Sequence, residues 1–243
     1  MEIGNRKLEI GQRGRGAVLA LLFFLPALCS AADAGEIRGW VRLAGPLPSE
    51  EFQPVLKHRE FCGERMPSEK VRLGADRGLA DVLVTLEGVP LRREVPATRT
   101  AVLDNRRCRF VPRIQVVSPG TRLEVRNSDP ILHTVHAYLG TETLFHLALP
   151  VFRQRVWATL DRPGLIRIDC DVGHTWMRAY ILVRADGFAT VTGPDGAFSL
   201  GPVPDGSFRL RAWHETLGIR EASVTVTNGR PTVKTLHDEA PSD

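Results

Sequence analysis

Aromatic side chains make up only 7% of the 243 residues, and the chain has four cysteines and three methionines. Nucleic-acid binders combine a concentrated basic patch with rings for stacking. Here 32 basic and 28 acidic residues are mixed along the chain, with a net charge of +4, so no nucleic-acid partner is expected. Gly-x-Ser-x-Gly, His-Glu-x-x-His and phosphate-loop motifs are absent, and the chain is not expected to be an enzyme. No apolar run approaches the ~20 residues needed to span a bilayer, so stable membrane insertion is not expected either. A hydrophobic share of 43% with 25% charged residues excludes wholesale disorder.

The N-terminus carries Arg6, Lys7, Arg13 and Arg15, then an apolar run from Ala17 to Leu28, then small residues through Ala34. This order describes a secretory signal peptide over residues 1–34, cleaved near Ala34. Leu28 is bulky where lipid attachment at Cys29 would want a small residue. The mature chain is therefore expected to be periplasmic or secreted, where disulfides persist. Export removes Cys29 and leaves Cys62, Cys108 and Cys170, an odd number. Spacing alone does not choose a pair. The neighbours of Cys170 set it apart, so Cys62 is paired with Cys108 and Cys170 is kept as a functional thiolate.

Short alternating apolar segments recur through the rest, among them Ile37–Leu43, Asp81–Leu86, Leu165–Cys170, Ala179–Val183 and Phe208–Trp213. Turn residues separate them, which predicts an all-β sandwich or barrel. A short helix is allowed between Leu144 and Val151, and a long loop anchored by Cys62 is expected over Pro46–Lys70. A boundary near Ala185–Gly187 divides residues 35–184 from a block at 185–235, followed by a disordered tail at 236–243. The block has too few strands for an independent core. It should pack on the first domain or borrow a strand, such as Ile37–Leu43.

Two segments carry chemistry. One runs from Asn127 through His133 to His136, and the other from Ile166 to Met177. Along Leu165–Cys170, Ile166, Ile168 and Cys170 share the apolar face, while Arg167 and Asp169 face the other way. The following loop brings His174 and Met177 within seven residues of Cys170. A thiolate, an imidazole and a thioether on one loop, with an imidazole from a distant strand, form a soft ligand set. Such a Cys–His₂ group with a weak axial Met suits blue copper, though cysteine with histidine also suits zinc. His136, three residues from His133, should face the opposite side. His146 reads as a loop histidine near the metal face, and His58 and His237 as solvated. Trp176 could cover the site.

These segments resemble the cupredoxins, the plastocyanin, amicyanin and azurin relatives. They resemble in particular exported methylamine-utilisation or plastocyanin-like proteins. The matching pieces are Cys62-Gly63, Cys108 to Pro112, Asn127 to Pro130, Ala148 to Pro150 and Trp176-Met177, within about residues 36–184. The resemblance implies a Greek-key β-sandwich with copper held by His133, Cys170, His174 and axial Met177. The loop reads Cys-x₃-His-x₂-Met, one residue longer before the histidine than is usual in the relatives. Thr134 stands where an Asn commonly follows the first ligand. The stretch Ala189–Leu200 with Val203–Gly206 resembles a carboxypeptidase regulatory-like, transthyretin-like β-sandwich, which implies a small non-catalytic extension.

The function these features imply is one-electron transfer by a mononuclear type 1 copper site, with a periplasmic redox protein as partner. Copper delivery or sequestration is the alternative, and a metal-free recognition module a third.

Overall fold

The computed structural model describes residues 34–46, 52–90, 100–230 and 232–239. The expected signal peptide, Ala34 aside, lies outside them. Except for a short helix, α1 (Arg59–Cys62), and a 3-10 turn at Ala75–Arg77, regular structure among the described residues is β. The strands begin with β1 (Gly35–Ala44), β2 (Phe52–Pro54), β3 (Arg65–Pro67), β4 (Leu83–Glu87), β5 (Thr100–Asn105) and β6 (Phe110–Val111). Next come β7 (Ile114–Val117), β8 (Thr121–Asn127), β9 (His133–Leu139), β10 (Glu142–Leu149), β11 (Arg155–Leu160) and β12 (Gly164–Asp169). The last are β13 (Arg178–Val183), β14 (Ala189–Val191), β15 (Ala197–Val203), β16 (Gly206–His214), β17 (Gly218–Val226) and β18 (Thr232–Glu239).

Two sandwiches result. In the first, a sheet ordered β10-β9-β12-β13-β7 and a sheet ordered β11-β8-β5-β6 share one apolar core. Period-two alternation fixes which side chains enter it. Val135 and Ala137 of β9, Ile166 and Ile168 of β12, and Ala179, Ile181 and Val183 of β13 are all buried. Arg167 and Arg178 face outward and pair with Asp169. Residues 144–149, allowed as a helix, are strand β10 instead. They form a sheet edge, so most of their apolar side chains are only half covered, and helical and strand periodicity look alike there.

The second sandwich packs the sheet β15-β1-β18 against β14-β4-β16-β17 around a separate core. Both β1, which carries the Ile37–Leu43 segment the C-terminal block was expected to be able to borrow, and β4, assigned by sequence to the 35–184 domain, belong here. β1 pairs antiparallel with β15 and parallel with β18, and β4 lies between β14 and β16. The physical reason is strand supply: the C-terminal block alone cannot face two sheets. Of the expected disordered tail, residues 236–239 belong instead to β18, which runs beside β1 through Glu239, and residues 240–243 lie outside the described residues. The Gly193–Gly196 turn docks on β1, where the Val41 N–H donates to the Gly196 carbonyl at 2.9 Å. Gly196 sits at φ +77°, and an added Cβ would come within 2.3 Å of the Val41 carbonyl, so both conformation and space require glycine.

Side chains tie the sandwiches together. Arg184, just past β13, bonds Glu87 at 2.9 Å, Asp186 at 2.6 Å and the Leu86 carbonyl at 3.0 Å. Arg113 and Glu215 form a buried ion pair, and Tyr180 meets Trp213 edge-on at 4.9 Å between ring centroids. Beside this seam His214 is buried, and its Nδ1 accepts the N–H groups of Thr216 (3.2 Å) and Leu217 (3.3 Å). Burial, then the Arg113 charge, lower its pKa to about 4. An unfolded chain protonates this ring near pH 6.5, whereas the folded one resists to about pH 4. Stability should therefore fall as pH drops through that window, by about 3 kcal/mol in full. Urea unfolding at pH 7, 6 and 5 measures the slope, and His214→Gln should flatten it.

Candidate metal centre

His133 opens β9 on its core-facing side, and Cys170 follows the last residue of β12. β9 and β12 pair antiparallel with His136 opposite Asp169, which sets the start of one strand beside the end of the other. The loop after Cys170 turns back through Gly173 (φ +92°). It places His174 and Met177 inward, with the Met177 N–H donating to the His174 carbonyl at 2.9 Å. His133, Cys170, His174 and Met177 are all buried.

Three donor atoms converge. His133 Nδ1 and His174 Nδ1 are 3.2 Å apart, and Cys170 Sγ lies 3.9 Å from the first and 3.6 Å from the second. A triangle with these sides has its circumcentre roughly 2.1 Å from each corner, the length of zinc–nitrogen bonds and close to that of zinc–sulfur bonds. The donor set therefore fits a transition ion with one thiolate and two imidazoles. Met177, buried on the same loop, carries a thioether that would serve as a further soft ligand.

Each inward-facing imidazole is held from behind. His133 Nε2 lies 3.0 Å from Asp129 Oδ2. Asp129 is itself buried and accepts the Arg107 N–H (2.7 Å) and Cys108 N–H (2.8 Å). His174 Nε2 lies 3.0 Å from His58 Nδ1. The Asn127 side chain pins the preceding turn by donating to the carbonyls of Ile131 (2.9 Å) and Leu149 (2.8 Å). Such outer partners fix ring orientation and tautomer.

Electrostatics favour an anionic sulfur. Burial alone would push the Cys170 thiol up, but hydrogen bonds from His133, His174 and the Thr134 and Val172 N–H groups bring its pKa down to about 6. Burial opposes charge on His133 too, yet Asp129 and Cys170 raise its pKa. Thr134 braces the loop. Its N–H donates to Cys170 Sγ at 3.4 Å, and its Oγ1 accepts the Asp171 N–H at 2.7 Å.

The Cys62–Cys108 disulfide is present and Cys170 is a free, buried cysteine. The disulfide ties α1 to the loop beneath the site. Trp176 donates from Nε1 to the Cys108 carbonyl at 2.8 Å and lies 5.1 Å from the His174 ring. Its ring is buried against His174. His58 corrects the expectation of a solvated residue, because β2, α1 and β3 lay it against His174. Its neighbours in sequence are charged, which concealed the contact. Asp129 received no role from sequence, although its Asn-Ser-Asp-Pro turn was the available signal. His136 faces away from His133, as strand alternation requires, and stacks on His146, which lies on β10 and not in a loop.

No protein-family model matches the sequence, nor does any curated protein. Among solved structures, the chain is similar to a reduced amicyanin variant, with 19% identity over 43% of this chain and 99% of that one, at a TM-score of 0.32. It is also similar to a purple cupredoxin from Nitrosopumilus maritimus, with 15% identity over 35% of this chain and 98% of that one, at a TM-score of 0.30. A copper-containing nitrite reductase from Thermus scotoductus SA-01 is similar at 18% identity over 41% of this chain but 25% of that one, at a TM-score of 0.31.

Asp129→Asn tests the support behind His133. Whichever way the amide turned, its NH₂ would face an N–H donor, either that of Arg107 or that of Cys108 beside the His133 ring. The expected cost is about 1–3 kcal/mol in thermal unfolding, together with metal affinity at least about tenfold weaker by competition with a chelator.

Proposed function

We propose that this chain is an exported mononuclear copper protein of the cupredoxin type that carries single electrons to or from another exported redox protein, and that it is not itself an enzyme. The observation that carries this reading is the convergence of two imidazole Nδ1 atoms and one sulfur in a buried pocket with Met177 on the same loop. Copper held there would cycle between Cu(I) and Cu(II), exchanging one electron. The protein's part is to keep the donors in one arrangement for both states. Asp129 and His58 hold the rings, Thr134 holds the sulfur, and Trp176 helps exclude water.

Full burial of the four side chains, with His58 closing over His174, favours a retained ion over one released as cargo. The second sandwich is read as a carboxypeptidase regulatory-like module. Its role is attachment or recognition, since the chemistry lies in the first sandwich.

One equivalent of Cu(II) added to the mature protein should give an intense thiolate-to-copper band and a small copper hyperfine splitting. Both should be lost in Cys170→Ser. A weak tetragonal spectrum unchanged by that substitution would overturn the reading.

A further inference from the structure

A second constellation lies on the outer face of the same sheet. His136 on β9 and His146 on β10 are register partners, and their rings stack at 4.2 Å with an 11° interplanar angle. Both aim at one oxygen. Asp171 Oδ2 lies 2.6 Å from His136 Nδ1 and 3.3 Å from His146 Nε2. One ligand atom from each of the three residues lies within 4.8 Å of the others. The other His136 nitrogen, Nε2, lies 2.9 Å from the Thr143 hydroxyl, which leaves Nδ1 facing the cluster. The Tyr138 hydroxyl lies 2.6 Å from the same Nδ1 and adds a fourth polar group at the rim.

From these contacts we infer that His136, His146 and Asp171 form a surface binding site for a divalent transition-metal ion, separate from the buried centre. Two imidazoles and a carboxylate suit Cu(II) and Zn(II), with Cu(II) bound more tightly in the Irving–Williams order. Access is open, since the His146 and Asp171 side chains are 46% and 41% exposed while His136 is mostly covered. The framework is firm as well. Two ligands sit on paired strands, and the third is anchored by its N–H on Thr134. The small movement needed to admit an ion falls on the exposed side chains, so the backbone can stay in place. The strands set His136 and His133 on opposite faces, so one ion cannot share them.

The site is tested with Cu(II) itself. The mature protein should bind a second equivalent with a tetragonal EPR spectrum showing nitrogen splitting. His146→Ala, an exposed change on an edge strand, should weaken that second equivalent at least about tenfold and leave the first equivalent unchanged. Asp171→Asn should weaken it in the same direction. Zn(II) added after loading should displace the second signal before the first. Imidazole ¹⁵N shifts of His136 and His146 on adding Zn(II) to the metal-free chain provide a residue-resolved check. The proposal is overturned if no second equivalent binds, or if it binds equally well in His146→Ala. The test stands apart from the buried centre: in Cys170→Ser the outer signal should persist and still depend on His146, whatever the inner site does.

Discussion

The register between β9 and β12 governs this end of the molecule. With His136 opposite Asp169, the start of β9 lies beside the end of β12. His133 and Cys170 then both face the core, and Thr134 can reach the sulfur and the Asp171 N–H together. A slip of one residue would turn every β9 side chain to the other face. His133 would move to solvent and His136 inward, without Asp129 behind it. The buried Val135 and Ala137 guard against that slip, since both would have to leave the core they share with Ile166 and Ile168.

Around this register the site is built in layers. The donors are innermost. Asp129 and His58 stand behind the rings, and backbone N–H groups stand behind Asp129. The disulfide and Trp176 close the layer beneath through Cys108. A buried carboxylate without such donors would carry a large desolvation cost. Here each neighbour satisfies another. The donor chemistry and the fold's polar accounting therefore use the same residues.

The inner donors were legible in the sequence because Cys170, His174 and Met177 are close in the chain and lie beside a clear alternating strand. The opposite faces of His133 and His136 followed from strand period alone. The outer supports were less legible. His58 reaches His174 across 116 positions, and no local pattern marks such a contact. The same limit applies to β4. Its alternation identified it as a strand, but partners more than a hundred residues away in β14 and β16 left no trace in it, whereas the shortage of strands in the C-terminal block pointed to Ile37–Leu43 in β1 as a strand to borrow. β18 was overlooked because its polar composition resembles a tail, and its order comes from backbone pairing with β1.

That parallel pairing bears on how the chain assembles during synthesis. β1 is made early but finds its neighbours only in β15 and β18, and β4 waits for β14 and β16. The strands of the first sandwich, β5 to β13, are consecutive and can close while β1 and β4 are still single. The half that holds the buried His133, Cys170 and His174 cluster can therefore mature first, with the other half completed only when the last strand arrives. Contacts of such long separation form slowly and leave strand edges exposed meanwhile. A chain of this design has reason to depend on chaperoning of its early strands until the late ones cover them.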